Sequence, residues 1–104
     1  MLHNLAYLRE TTEGNAALEA ELLMHFTQTI HRCLAALENT NADWSNILHE
    51  LKGAARSMGA DDLADACDSA ERMAMNTPEK SAYCAKMQTI AAQTLHIMQH
   101  HFAV

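Results

Sequence analysis

The chain has 104 residues, the length of a single domain, and hydrophobic residues make up 49% of it, which is enough to build a core. Its formal net charge of −6 argues against a nucleic-acid-binding protein, which needs a basic surface, and against docking on an anionic membrane. No apolar run approaches the roughly 20 residues of a membrane span, and we see no signal peptide at the N-terminus.

The cysteines Cys33, Cys67 and Cys84 are odd in number and widely spaced. Such a set makes a poor disulfide framework and a poor zinc site. We therefore expect reduced, half-buried thiols, as in a cytoplasmic protein.

With only 3 Gly and 1 Pro, the chain favours a few long helices over many short strands. A first short helix is predicted from Leu2 to about Glu10. Asn15 is a suitable N-cap for a second helix, which runs from about Ala16 to Leu37 or Glu38. Its predicted buried stripe consists of Leu23, Phe26, Ile30, Cys33 or Leu34, and Leu37.

The third helix is predicted to start near Ala42 or Asp43 and to stop at Gly59, because helices often end on a residue with positive φ. A fourth helix follows from Ala60–Asp62, whose early acids suit a helix N-terminus. Two apolar stripes are predicted here: Trp44, Ile47, Leu51, Ala54 or Ala55, and Met58 on the third helix; Leu63, Ala66 or Cys67, Ala70, and Met73 or Ala74 on the fourth.

Thr77 and Pro78 are predicted to be the N-cap and the first position of a fifth helix, which runs from about Glu79 to Phe102. Its stripe is predicted to be Tyr83, Met87, Ile90, Ala91, Thr94, Met98 and Phe102. The four long helices and their short connections predict an all-α fold, a single-domain antiparallel up-down four-helix bundle over residues 1–104, with the first short helix capping one end.

The third helix carries a polar face opposite its apolar stripe. His49, Lys52, Gly53 and Arg56 recur at i, i+3, i+4 and i+7, so they line up on one side of the helix. Because the core occupies the other side, we expect His49 and Lys52 to be exposed to water. Imidazole has an ordinary pKa of ~6.5, so a neutral ring nitrogen is free to attack phosphorus at neutral pH. The nearby cations can offset a phosphoryl charge, and Gly53 leaves room for an approaching partner. An ordinary solvated helix face is the alternative.

A longer string extends this face into the next helix: His49-x-Leu51-Lys52-Gly53-x-Ala55, then Gly59-Ala60, Leu63, Cys67 and Glu71. It resembles the signature of histidine-phosphotransfer (HPt) domains, the helical relay modules of multistep two-component signalling. The resemblance extends upstream to the family's first long helix, through Gly14-Asn15, Leu22-Leu23, Phe26, Leu34 and Leu37.

The resemblance implies that His49 accepts a phosphoryl group from an aspartyl phosphate on a receiver domain and passes it to another receiver. By the same resemblance, Lys52 supports the phosphoryl group and Gly53 gives access. Arg56 lies one further turn along the helix, and its position makes it a candidate for electrostatic support. A carboxylate at Glu71 would orient the imidazole, as in the phosphotransfer domain of chemotaxis kinases, unless Glu71 is simply an exposed acid. The phosphotransfer domains of chemotaxis kinases have a further histidine at the position of Asp68 in this chain.

The expected partners are receiver domains of response regulators or of hybrid sensor kinases. No cofactor is expected on this chain, since magnesium belongs to the receiver. We also expect no autonomous kinase activity, because an ATP-binding domain needs motifs and length that this chain lacks.

Two alternatives remain. The first is a metal-binding bundle that uses His96 and His100, which are spaced i, i+4 near a further histidine, His101, although no third ligand is suggested by spacing. The second is a binding-only adaptor that docks a receiver or a kinase and acts by occlusion.

Overall fold

The computed structural model describes residues 10–38, 43–72 and 77–102, and these ranges contain no strand. They form four helices, numbered here in chain order: α1 Ala16–Leu37, α2 Trp44–Ser57, α3 Asp61–Arg72 and α4 Thr77–Phe102. The all-helical class is therefore confirmed. The predicted short helix from Leu2 to about Glu10 lies, apart from its last residue, outside the described residues.

The four helices close around one hydrophobic core. Helix α1 packs against α2 and α4, and α3 packs against the same two helices. The alternating up-and-down direction stays a prediction. With few aromatic residues available, mainly Leu, Ala, Met and Ile fill the interior, as in the fully buried Ile30, Leu48, Leu51, Leu63, Met87 and Met98.

Helix α1 begins at the predicted cap. The Asn15 side chain accepts a hydrogen bond from the backbone N–H of Leu18 at 3.0 Å, which satisfies a donor that the first helical turn leaves free. The predicted stripe is buried. Of the two alternatives in it, Cys33 is buried and Leu34 is only partly buried. Apolar periodicity therefore predicted this helix correctly.

Local hydrogen bonds cap both ends of α2, and a short turn at its C-terminal end connects it to α3. Asp43 caps α2 by accepting from the N–H of Asn46 at 3.2 Å. At the other end Gly59 has a φ of 74°, and the N–H of Ala60 donates to the carbonyl of Ala55 at 2.8 Å. This is a Schellman ending, which needs a residue that tolerates the left-handed conformation.

The buried stripes differ from the predictions at a few positions. On α2, Leu48 is completely buried, whereas Ile47, predicted in its place, lies at the edge of the core and is only partly buried. On α3 the buried positions are Leu63, Ala64, Cys67 and Ala70. Neighbouring apolar residues compete for one interior position, and the packing of the adjoining helices decides between them.

Helix α4 begins at Thr77, two residues before the predicted Glu79, so Thr77 belongs to the helix instead of preceding it. Such a shift is ordinary for a helix end. Its buried residues include Leu95, which the prediction omitted, while Tyr83 and Ile90 are only partly buried. Met73 and Ala74 lie outside the described residues, and the side chain of Phe102 lies outside the described side chains.

Within the described residues, Cys33, Cys67 and Cys84 form no disulfide; Cys33 and Cys67 are buried, and Cys84 is partly buried. Within the described ranges, no helix has the length and apolar character needed to cross a membrane.

Candidate functional site

Helix α2 presents His49 on its outer side. His49 and Gly53 are exposed, whereas Leu48 and Leu51 on the same helix are completely buried. The amphipathic pattern places them this way, because one stripe of the helix is taken by the core. The predicted exposure of His49 is confirmed, and its ring is open to an approaching partner.

Lys52 is not the exposed side chain that we expected. Its side chain is only 13% exposed, and its Nζ lies 2.9 Å from Glu71 Oε1 and 3.3 Å from Asp68 Oδ1. Both carboxylates belong to α3, so the ammonium group bridges the two helices. The expectation was wrong because the close packing of α2 on α3 covers the lysine stem and brings the acids to its end.

These contacts change the electrostatics of the site. The carboxylate of Glu71, and after it that of Asp68, raises the pKa of Lys52 above its ordinary value of 10.5. The Oε1 atom of Glu71 is buried and, among the described residues, has no hydrogen-bond partner, so the lysine charge is what compensates it. Lys52 is therefore held charged at neutral pH.

Glu71 thus contacts the lysine of the site. Among the described residues no hydrogen bond joins Glu71 to His49, and its role in orienting the imidazole stays a prediction. Arg56 is exposed in the last turn of α2, and its electrostatic role also stays a prediction.

No contact within the described residues requires a glycine at position 53. A Cβ added there would meet nothing within 4 Å, and its φ lies outside the left-handed range. Glycine in a helix interior costs about 1 kcal/mol relative to alanine. The absent side chain therefore leaves open space beside His49 at a cost to the helix.

A second ion pair, which the sequence analysis missed, involves Glu50, the residue that follows His49. Arg32 on α1 donates from both terminal guanidinium nitrogens, Nη1 and Nη2, to the two carboxylate oxygens of Glu50, the first of them at 3.2 Å. The hydrogen bond from Arg32 lowers the pKa of Glu50 below its ordinary value of 4.5. Because Arg32 and Glu50 are 18 residues apart, only the packing of α1 on α2 reveals this pairing.

A shallow groove of about 190 Å³ runs between α1 and the C-terminal half of α2. We call it the α1–α2 groove. Apolar and polar side chains share its lining, which consists of Leu22, His25, Phe26, Thr29, Ala54, Ser57 and Met58. Such a mixture of apolar and polar side chains is typical of transient protein-docking surfaces.

The C-terminal histidines form a pair. The rings of His96 and His100 are 4.3 Å apart between centroids and meet edge to face. Among the described residues, no group of three or more His, Cys, Asp or Glu side chains could hold a metal ion. The side chain of His101 lies outside the described residues.

Comparison with known proteins identifies the family of the chain. A protein-family model described as Hpt domain matches residues 7–100 of the chain, so the match includes all four residues of the His49 face and the α3 acids. No curated protein and no solved structure matches the chain. On the strength of a match over nearly its whole length, the chain belongs to the Hpt domain family, the carriers of histidine phosphotransfer in two-component phosphorelays.

Proposed function

We propose that this protein is a phosphorelay carrier that accepts a phosphoryl group on His49 from the aspartyl phosphate of one receiver domain and passes it to another. The observation that carries the proposal is the exposed His49 beside a charged Lys52 and an uncontacted helix glycine, within a chain of the Hpt family.

The proposed step follows from ordinary imidazole chemistry. The lone pair of a neutral ring nitrogen of His49 attacks phosphorus, the N–P bond forms, and the P–O bond of the aspartyl phosphate breaks. The aspartate leaves as a carboxylate, and the other ring nitrogen keeps its proton. Because phosphoryl transfer depends mainly on positioning and charge stabilisation, His49 and Lys52 need no further chemical group on this chain.

The partner would approach over Gly53 and rest in the α1–α2 groove. Ala54 and Ser57, which follow Gly53 on α2, line this groove, and its mixture of apolar and polar side chains suits a transient contact. We propose receiver domains of response regulators or hybrid kinases as the partners. Magnesium would be held by the receiver, and this chain would supply no cofactor and no kinase activity of its own.

The direct test is phosphotransfer from phosphorylated receiver domains of the source organism, measured as radiolabel on the full chain. We expect label on the wild type and none on His49→Gln. His31→Gln is the matched control, because His31 is an exposed histidine on α1, and this variant should keep the label. Full acid-labile label on His49→Gln would refute the assignment. Inhibition of a receiver that survives His49→Ala would instead favour the binding-only adaptor.

A further inference from the structure

The Lys52 ammonium has two carboxylate partners in the unphosphorylated protein. Glu71 and Asp68 lie 2.9 and 3.3 Å from it, on the neighbouring helix. His49 lies three residues before Lys52 on α2, which makes the two side chains neighbours on the helix surface. A phosphoryl group on His49 would therefore meet a lysine that is already engaged.

The two carboxylates hold Lys52 unequally. Glu71 is the closer partner, its side chain is only 18% exposed, and its Oε1 is buried. Asp68 is farther away, is 35% exposed, and also binds Arg72, whose Nη2 lies 2.8 Å from Asp68 Oδ2. Asp68 can exchange Lys52 for Arg72 or water, whereas Glu71 would leave a buried charge behind.

We propose that Asp68 is a positioning residue that competes with the phosphoryl group on His49 for the Lys52 ammonium, and so limits how strongly His49 retains that group. The inference rests on the proposed function. Arg72 moderates the competition, because it draws the Asp68 carboxylate toward the exposed end of α3.

The first test is the equilibrium between phosphorylated His49 and the phosphorylated form of whichever receiver labels the wild type. Asp68→Asn should raise the ratio of phosphohistidine to receiver phosphate about threefold, the size of effect that a partly exposed ion pair supports. Asp65→Asn is the matched control: it removes the same charge from the exposed side of α3 and should leave the ratio unchanged.

The second test separates competition for Lys52 from direct repulsion of the phosphoryl group. Asp68→Asn is repeated in a Lys52→Gln background, as a double-mutant cycle. If Asp68 acts through Lys52, its effect on the ratio disappears there. An equal effect in both backgrounds would mean direct repulsion and would overturn the proposal.

Arg72→Gln should change the ratio of phosphohistidine to receiver phosphate in the opposite direction. Without Arg72 the Asp68 carboxylate is freer to hold Lys52, so the ratio should fall below that of the wild type. A purely structural role of Asp68 would move both variants in the same direction. Circular dichroism of each variant checks that the helical fold is kept.

A further measurement does not depend on phosphotransfer. In NMR titrations of the full chain, the pKa of Lys52 should fall in Asp68→Asn and stay unchanged in Asp65→Asn. A labelled wild type with an unchanged ratio in Asp68→Asn refutes this inference alone. A wild type that no receiver labels refutes the proposed function itself.

Discussion

Replacement of Gly53 by alanine should stabilise the protein and slow phosphotransfer at the same time. A Cβ at position 53 meets no atom within 4 Å, and the position lies in the exposed interior of α2. The variant therefore gains the full difference in helix propensity, about 1 kcal/mol. For a domain of this size that gain corresponds to a rise in Tm of about 4 °C.

The same methyl group would stand one turn from His49, where the receiver must approach. A misplacement of about 1 Å between reacting groups can cost a factor of about 100 in rate, so we expect transfer to Gly53→Ala to slow by about 10- to 100-fold. Thermal unfolding followed by circular dichroism gives the first quantity, and the initial rate of labelling by a phosphorylated receiver gives the second.

Gly59→Ala is the matched control. Gly59 has a φ of 74°, where alanine costs about 1 to 2 kcal/mol, so this variant should be less stable yet transfer normally at temperatures where it is folded. Gly53→Ala that is more stable and still labelled at the wild-type rate would refute the clearance role. Gly53→Ala that is less stable would refute the open space around position 53.

Three further predictions concern stability and reactivity. Asn15→Ala removes the acceptor for the Leu18 N–H and should cost about 1 kcal/mol in urea unfolding; an unchanged midpoint would contradict the capping role. Because Arg32 lowers the pKa of Glu50 in the folded state, this pair adds stability above pH 4.5 that is lost as the pH falls through the lowered value. Glu50→Gln should thus be less stable than the wild type at pH 7, and the difference should shrink in acid unfolding series; a constant difference down to pH 2 would contradict it. Burial raises the pKa of Cys67 to about 12, so native Cys67 should resist alkylation at pH 8 while the less buried Cys84 reacts first, as measured by mass spectrometry; equal rates would count against the burial.

The helices and their ends were largely predictable, because the signals for them are local. Asn15 and Gly59 act through hydrogen bonds and backbone angles within a few residues of their own positions. The apolar spacing of α1 likewise determined which side faces the core. Where the signal is split between adjacent apolar residues, as at Ile47 and Leu48, packing made the choice.

The sequence by itself determined the family and the candidate acceptor. The string from His49 to Glu71 spans a helix, its glycine ending and the next helix, and both the spacing and the exposure of His49 follow from helical periodicity. Gly53 also stands out in the sequence, as a residue that a helix interior otherwise disfavours.

Only the tertiary structure decided the partners of the charged side chains. Lys52 pairs with Asp68, 16 residues away, and Arg32 with Glu50, 18 residues away. Long side chains on neighbouring helices meet according to the register that the core imposes, and no local pattern encodes that register. For this reason the sequence predicted Lys52 on an exposed helix face, whereas in the folded protein the acids of α3 hold its ammonium group.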